Sequence, residues 1–265
     1  MLNKNKDKSF QKQGFWKKRS LGQNFLINRG VLDKTINAAE LTKKDTVIEI
    51  GPGTGNLTEK LSERVKNVVA IEKDSRIISF LREKFAKSNV EIIEGDVLNI
   101  GAEVSRSQAS GREYKVVGNI PYYITSNLLR KIFEEWARPS LIVLMVQKEV
   151  AQRIVAKPPR MNLLALSVQF FAEPKIISYV SRGSFRPMPK VDSAIIRLVP
   201  KKESYSTTAL LRYNLFNLIR TAFAGKRKQL KNTIGLEILQ KAGIRPESRP
   251  EKLSLEDWLK IVSEV

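Results

Sequence analysis

The sequence predicts an α/β fold, with a mostly parallel, doubly wound sheet followed by a small α-helical domain. From Thr46 onward, short apolar runs of strand length alternate with longer amphipathic runs of helical period. Parallel strands joined by crossover helices produce this alternation. After Pro200 the strand-like runs stop and only helical patterns follow. We therefore expect a flexible basic arm at 1–19, a sheet domain at 20–200 and a helical domain at 201–265.

The individual elements follow from the same patterns. Apolar runs predict strands, and amphipathic runs predict helices. The predicted strands are 46–50, 67–72, 89–96, 115–119, 140–146, 163–172 and 193–199. The predicted helices are 56–65, 75–85, 126–136, 147–156, 210–224, 235–244 and 254–265. Polar, Gly- and Ser-containing residues predict a surface loop at 101–113 and a linker at 201–208.

Composition excludes several kinds of chemistry. The chain has no cysteine and no histidine. This removes disulfides, zinc sites of the usual ligand types, cysteine nucleophiles and acid–base catalysis by imidazole, and we expect no metal site. The longest apolar run, 141–146, is far shorter than the ~20 residues that span a bilayer. No apolar stretch follows the lysine-rich N-terminus as a signal peptide requires. We expect a cytoplasmic monomer without membrane association.

The charge distribution predicts a polyanionic partner. The formal net charge is +20, and it is concentrated at the two ends of the chain. Residues 1–30 carry a net charge of +7, residues 31–174 of +3 and residues 175–265 of +10. Solubility alone does not need this segregation, whereas basic ends that neutralise phosphates release counterions and bind nucleic acid.

A glycine-rich turn predicts a nucleotide-like ligand at one edge of the sheet. The sequence EIGPGTG places Gly51, Gly53 and Gly55 directly after the first predicted strand and before a helix. This is where an open α/β sheet binds such ligands. The spacing is GxGxG, which differs from the GxGxxG of dinucleotide-binding proteins. No GK[ST] follows, so a triphosphate site is disfavoured.

Two carboxylates at the next strand ends narrow the identity of this ligand. Glu72 ends the second strand 21 residues after Gly51, close to the offset at which a carboxylate accepts the hydroxyls of a ribose. Asp96 follows the third strand, where it can face an adenine amine. A nucleoside without phosphates fits this set. We therefore predict S-adenosylmethionine as the cofactor and a Rossmann-like class I methyltransferase fold.

The stretch VVGNIPYY predicts the chemistry at the end of the fourth strand. The lone pair of an adenine amine is delocalised into the ring, so the amine is a poor nucleophile. The Asn119 side-chain oxygen and the Ile120 carbonyl can accept its two hydrogens and release that lone pair. Pro121 fixes φ and offers no competing N–H, and Tyr122 provides a face on which the base can stack. This scheme needs no general base.

Five ordered motifs resemble one family. They are KRSLGQNFLIN, EIGPGTGNLT, GNIPYYIT, VQKEVAQRIVA and FRPMPKVDSAIIRLVP. Together they are similar to the ribosomal RNA adenine dimethyltransferases. The resemblance implies that Gln23, Asn24 and Leu26 close over the cofactor, and that Phe185 stacks on the target base opposite Tyr122. It also implies two methyl transfers to each of two adjacent adenines near the 3′ end of 16S small-subunit rRNA, in an immature ribosomal subunit.

Three alternatives remain at this point. A DNA adenine methyltransferase uses an N/D-P-P-Y turn, but here Ile120 holds the second position and a target-recognition insert is missing. A large-subunit enzyme of the macrolide-resistance type is a close cousin, yet residues 217–234 are more similar to the helical tail of the small-subunit enzymes. A non-catalytic assembly factor would be expected to lack one of Glu72, Asp96 and Asn119, and all three are present.

Overall fold

The computed structural model describes residues 23–110, 113–225 and 228–265. The basic arm predicted at 1–19 lies outside these residues. The described chain divides into two compact units. The first comprises residues 23–148 and Ile177–Arg197, and the second comprises Glu149–Ile176 and Leu198–Val265. The second unit therefore takes in a segment that precedes residue 200, where the sequence predicts the domain boundary.

The predicted parallel sheet is confirmed. Seven strands form one sheet and two short strands form another. In chain order the strands are β1 (Phe25–Leu26), β2 (Thr46–Ile50), β3 (Asn67–Glu72), β4 (Val90–Glu94), β5 (Tyr114–Asn119), β6 (Leu141–Gln147), β7 (Ala172–Val180), β8 (Phe185–Arg186) and β9 (Ser193–Pro200). The large sheet has the order β4-β3-β2-β5-β6-β9-β7, and β1 pairs with β8. The pairings β2–β3, β2–β5, β3–β4 and β5–β6 are parallel.

The helices of the described residues follow the strands as crossover connections and continue alone near the C-terminus. They are α1 (Arg29–Ala38), α2 (Asn56–Ser62), α3 (Ser75–Lys84), α4 (Val97–Gln108), α5 (Thr125–Glu134), α6 (Lys148–Ile154), α7 (Leu163–Phe171), α8 (Lys202–Ser206), α9 (Ala209–Ala224), α10 (Leu236–Lys241) and α11 (Leu255–Val262). Carboxylates cap α3 and α4, because Asp74 and Asp96 each accept a hydrogen bond from a first-turn backbone N–H.

The central strands of the first unit form its core. All five residues of β2 are buried, and β6 has six consecutive buried residues. Such continuously buried strands are typical of a parallel sheet that is covered on both faces. The buried strands hold their carboxyl ends in fixed positions, and the residues that follow those ends form the candidate site.

The prediction of a strand at 163–172 is wrong, because these residues form α7. The run LLALSVQFFA is apolar except for Ser167 and Gln169, and such a pattern does not separate a strand from a helix. The Asn162 side chain caps the helix by accepting a hydrogen bond from the Ala165 N–H at 3.1 Å. Phe170 and Phe171 pack in edge-to-face geometry at 4.9 Å, and both contact Phe216 of α9.

The prediction of a loop at 101–113 is also wrong over most of its length, because α4 continues to Gln108. Gly101 lies in this helix for a packing reason. A Cβ atom at this position would lie 2.1 Å from the Trp136 ring. The glycine therefore allows the close approach of Trp136 and does not mark a turn. The Ser105 hydroxyl then accepts a hydrogen bond from the Ala137 N–H at 3.1 Å.

In the second unit, the predicted helices after residue 200 are confirmed as α9, α10 and α11. The linker predicted at 201–208 contains the short helix α8. A reciprocal capping box between Ser254 and Asp257 starts α11. Trp258 of this helix is fully buried and lies 6.2 Å from the Phe223 ring of α9. Within residues 23–110, 113–225 and 228–265, no helix has the length and apolar character that crossing a bilayer requires.

Candidate active site

An open cleft of about 1030 Å³, including its solvent-filled mouth, lies at the carboxyl ends of β2, β3 and β5. The strand register explains why distant residues meet there, since Ile50 is level with Ile71 on one side and with Gly118 on the other. Most of the residues that the sequence predicts for the site line the cleft: Gln23, Asn24, Leu26, Gly51, Gly53, Glu72, Asp96, Asn119, Ile120, Pro121 and Tyr122. Gly55 and Phe185 are not among its lining residues.

The glycine turn has a backbone that requires glycine. Gly53 has φ of +54°, and a Cβ atom there would lie 2.9 Å from the Phe25 ring. Gly55 has φ of +76° and precedes α2. A Cβ atom at Gly55 would lie 2.9 Å from the Phe85 ring. Gly53 therefore lets the backbone line the cleft. Gly55 instead allows the turn to pack closely against Leu81 of α3 and against Phe85, which follows α3.

Glu72 is a buried carboxylate that holds the glycine turn in place. One oxygen accepts a hydrogen bond from the Gly53 N–H at 3.2 Å, and the other accepts from the Lys73 and Asp74 N–H groups at 2.9 Å each. Burial raises the pKa of Glu72 above its ordinary value, and the three backbone hydrogen bonds partly oppose that rise. The carboxylate has acceptor capacity beyond these three bonds.

Asp96 lines the cleft and forms two further interactions. One oxygen caps α4 through the Leu98 N–H at 3.0 Å, and the other accepts a hydrogen bond from the Lys73 ammonium at 2.7 Å. Partial burial alone would raise the pKa of Asp96, but the hydrogen bonds and the charge of Lys73 bring that pKa below its ordinary value. The carboxylate is therefore ionised at neutral pH, and its unused lone pairs can still accept a hydrogen bond from a ligand.

The segment Gln23–Leu26 is fixed to three sides of the cleft. The Gln23 side-chain amide donates to Asp74 at 3.0 Å, and the Asn56 side-chain amide donates to the Leu26 carbonyl at 3.0 Å. The side-chain amide of Asn119 donates to the Asn24 carbonyl, also at 3.0 Å. The segment therefore lies against both the glycine turn and the end of β5, and its closing over a cofactor stays a prediction.

The hydrogen bond between Asn119 and Asn24 determines which way the Asn119 amide is turned. A backbone carbonyl only accepts hydrogen bonds, so the Asn119 atom that contacts it must be Nδ2. The side-chain oxygen is then the other terminal atom, and it accepts no hydrogen bond from the described residues. Asn119 lines the cleft and thus presents there an oxygen that has no donor among the described residues.

The turn after Asn119 begins with the buried Ile120 and the conformationally restricted Pro121, and it ends at the exposed Tyr123. Ile120 is 2% exposed, and Pro121 has φ of −57°. The Tyr122 hydroxyl lies 2.6 Å from the Ser193 hydroxyl, which anchors the ring at the cleft wall. Burial raises the pKa of Tyr122 above its ordinary value, so the phenol stays neutral at pH 7. Tyr123 is 64% exposed and lies at the mouth.

The structure does not bring Phe185 to the cleft. Its side chain is fully buried, and β8 pairs with β1 so that Phe185 is level with Leu26. The ring therefore belongs to the core beside the segment Gln23–Leu26. The resemblance implies a role for Phe185 but gives no information on the exposure of its ring. Stacking on a base stays a prediction, and it requires the ring to become exposed.

Phe185→Ala is expected to lower the free energy of unfolding by about 3–5 kcal/mol, the cost of removing a buried ring and leaving a cavity. Urea unfolding followed by circular dichroism measures this change. Arg186→Ala, an exposed change in the same short strand, serves as the control and should cost less than about 1 kcal/mol. A loss of methyl transfer without any loss of stability would instead place the ring against the substrate.

Glu49 lines the cleft and is a functional candidate that the sequence analysis did not single out. It is 1% exposed, and neither carboxyl oxygen has a hydrogen-bond partner with standard geometry among the described residues. Burial raises the pKa of Glu49 to about 8, with smaller effects of the Thr58 hydroxyl, the Glu72 carboxylate and the Lys84 ammonium. The available signal was a carboxylate inside the apolar strand TVIEI, directly before the glycine turn.

Glu49→Gln is expected to change how stability depends on pH. The folded-state pKa of about 8 lies above the ordinary 4.5, so folding retains a proton that the unfolded chain releases. The wild type should therefore lose stability relative to the variant as the pH rises from about 4.5 to about 8, by a few kcal/mol in total. Urea unfolding at pH 5 and pH 8 tests this. Glu94→Gln, at an exposed carboxylate, should show no such difference.

Comparison with known proteins agrees with the fold. Residues 14–265 match the family model described as ribosomal RNA adenine dimethylase. A ribosomal RNA small subunit methyltransferase A from Dehalococcoides mccartyi is 43% identical over 254 residues, which cover 91% of this chain and 86% of the relative.

Two solved structures are similar over most of their length. The dimethyladenosine transferase from Plasmodium falciparum has a TM-score of 0.76 and 31% identity, and the match covers 89% of this chain and 95% of that one. The 23S rRNA methyltransferase ErmE has a TM-score of 0.70 and 27% identity, with 91% and 99% covered. The chain belongs to the ribosomal RNA adenine dimethylase family.

Proposed function

We propose that the chain transfers methyl groups from S-adenosylmethionine to the exocyclic amines of two adjacent adenines near the 3′ end of small-subunit rRNA. The products are dimethyladenines, formed during ribosome biogenesis in the cytoplasm by a monomeric enzyme. The observation that carries the proposal is the Asn119 amide, which lines the same cleft as the glycine turn and has its oxygen left as an acceptor. The identity with small-subunit methyltransferases supports the choice of substrate.

The residues of the cleft fit S-adenosylmethionine. The ligand is a cationic nucleoside without phosphates, and three acidic residues line the cleft: Glu49, Glu72 and Asp96. Among the described residues the buried carboxyl oxygens of Glu49 have no hydrogen-bond partner with standard geometry, so this group is available to a polar group of the ligand. When bound, the cofactor supplies a methyl group activated on a sulfonium. In our proposal Glu72 accepts the ribose hydroxyls, Asp96 accepts the adenine amine, and the residues Gln23, Asn24 and Leu26 cover the ligand.

The end of β5 activates the target amine without a general base. The Asn119 oxygen accepts one hydrogen of the amine and the Ile120 carbonyl accepts the other. Two acceptors held in place draw the nitrogen toward a tetrahedral shape and free its lone pair, which is an electrostatic contribution to the transition state. The bond from Asn119 to the Asn24 carbonyl keeps the amide from rotating its oxygen away. The methylated amine afterwards loses its proton easily.

The target adenine must leave its base stack to reach this position, at a cost of a few kcal/mol. Tyr122 offsets part of that cost by stacking, and the Ser193 hydroxyl holds its ring. The basic ends supply further energy through phosphate contacts. We assign the methyl transfer to residues 20–200 and rRNA binding to residues 201–265 and the arm at 1–19, since residues 175–265 alone carry a net charge of +10.

Large-subunit rRNA is the second candidate substrate, because the 23S rRNA methyltransferase ErmE has the same fold at 27% identity. The 43% identity with the small-subunit methyltransferase favours the first candidate. A non-catalytic assembly factor is a third candidate, and the presence of Glu72, Asp96 and Asn119 in one cleft argues against it.

A transfer assay with methyl-labelled S-adenosylmethionine distinguishes these candidates. The substrates are undermethylated small subunits, large subunits and duplex DNA. Label in small-subunit rRNA supports the proposal. Label in the large subunit alone would instead support a large-subunit rRNA methyltransferase of the macrolide-resistance type. Binding of cofactor and RNA without transfer would favour the assembly factor.

A further inference from the structure

An exposed basic and aromatic surface lies beside the cleft and has no role in the chemistry described above. We call it the flanking patch, and it consists of Lys148, Tyr179, Arg182, Arg186, Met188 and Lys190. Tyr179 is 53% exposed and Met188 is 55% exposed. None of its four cations forms an ion pair within residues 23–110, 113–225 and 228–265.

Two connections fix the flanking patch next to the cleft. In the small sheet of β1 and β8, Arg186 is level with Phe25, whose ring lines the cleft. Ser193, at the start of β9, lies 2.6 Å from the hydroxyl of Tyr122 in the cleft wall. The segment between these two points carries Met188 and Lys190. Both ends of this segment therefore lie against residues of the cleft, and Ser193 contacts Tyr122, on which the target base is proposed to stack.

Within the patch, Tyr179 and Lys148 form a preassembled pair. The Lys148 ammonium lies 5.3 Å from the centroid of the Tyr179 ring, in cation–π geometry. The loop beneath the pair is tied together by Asp192, whose carbonyl accepts from the Lys148 N–H and whose side chain accepts from the Arg182 N–H, each at 3.0 Å. An exposed ring with a positioned cation is what a nucleotide needs, since the base has a face to stack on and the phosphate has a charge to pair with.

We propose that Tyr179 and Lys148 form a stacking site for a single-stranded nucleotide next to the target adenine. The base stacks on the exposed part of the Tyr179 ring, and Lys148 and Arg182 contact its phosphates. This proposal rests on the rRNA substrate of the proposed function. It adds a physical role, because extruding the target adenine deprives its neighbour of a stacking partner, and the tyrosine ring replaces that partner.

Equilibrium binding of undermethylated small subunits tests the proposal directly. Tyr179→Ala should weaken binding about tenfold, the effect of losing one base–aromatic stack. Tyr179→Phe keeps the ring and should restore binding to within about twofold of wild type. Lys148→Ala should lower the slope of log affinity against log salt by about 0.7, as expected for one lost phosphate contact on a single strand. Lys87→Ala, which removes the same charge from an exposed position in α3's C-terminal loop, is the control and should leave the slope unchanged.

The readout is binding, so it does not depend on methyl transfer. Wild-type affinity in Tyr179→Ala would overturn the stacking site, whether or not the wild type methylates the subunits. Equal losses in Tyr179→Phe and Tyr179→Ala would also overturn it, because the hydroxyl would then be the important group. Thermal unfolding of each variant checks the fold, which an exposed side chain should not affect. Failure of the proposed function would instead appear as absent methyl transfer by the wild type.

Discussion

Asn119→Ala is expected to lower kcat for methyl transfer by about 100-fold or more, the loss that follows removal of one fixed transition-state hydrogen bond. The side-chain oxygen of Asn119 is one of only two acceptors that the proposed mechanism gives to the target amine. Its orientation is set by the Nδ2 bond to the Asn24 carbonyl. Single-turnover transfer to undermethylated small subunits measures the chemical step directly.

The affinities for rRNA and for cofactor should change far less than kcat, because the proposed contact contributes mainly in the transition state. Asn127→Ala, at an exposed asparagine of α5, is the matched control and should retain wild-type turnover. If Asn119→Ala kept its turnover, the amide would not activate the amine, and the mechanism would have to be abandoned. If only the cofactor affinity fell, the residue would be a cofactor ligand alone.

Glu72→Ala is expected to weaken S-adenosylmethionine binding by about 100-fold. The carboxylate is proposed to accept both ribose hydroxyls, and two hydrogen bonds to a charged group are each worth about 1.5–3 kcal/mol. The substitution also frees the Gly53 N–H, which Glu72 now holds at 3.2 Å in the glycine turn. Isothermal titration with S-adenosylmethionine gives the dissociation constant.

Glu94 offers a matched control, because it is level with Glu72 in the neighbouring strand and is exposed. Glu94→Ala should bind cofactor as the wild type does. Glu72→Gln keeps one acceptor oxygen and separates the role of the charge from that of the hydrogen bond to Gly53. Unchanged affinity in Glu72→Ala would mean that the carboxylate only braces the turn and that the ribose is bound elsewhere.

The strand ends of the candidate site were predictable from sequence for a physical reason. Parallel strands bring their carboxyl ends to one edge, so chemistry-bearing residues that follow successive strands must meet. Gly51, Glu72, Asp96 and Asn119 meet in this way. The alternation of predicted strands and helices was therefore enough to predict that residues up to 68 positions apart lie at one edge of the sheet.

The elements that sequence did not predict depend on tertiary packing. The run at 163–171 has Ser167 and Gln169 alternating with apolar residues, a pattern that also fits a strand, so periodicity alone does not identify the helix. Gly101 has the pattern of a loop glycine, yet the Trp136 ring that packs against it comes from a distant segment. The assignment of Glu149–Ile176 to the second unit likewise depends on which surfaces α7 covers, as in its contacts with Phe216.

Side-chain exposure was the least predictable property of the site. The burial of Phe185 results from the pairing of β8 with β1, two strands of two residues each, which leave almost no sequence pattern. Glu49 is buried because β2 is covered on both faces. In the sequence, a single acidic residue in such a strand looks the same as one that faces solvent. In both cases the residue type was visible in the sequence and its surroundings were not.

Mass spectrometry of small-subunit rRNA after reaction with the purified chain tests the central claim most directly. Undermethylated subunits are incubated with S-adenosylmethionine, and the rRNA is digested and sequenced by mass. Two adjacent dimethyladenines near the 3′ end are expected, and Asn119→Ala is expected to abolish them. Methyl groups on another atom, on another base or on separated adenines would contradict the proposed substrate and the role given to the end of β5.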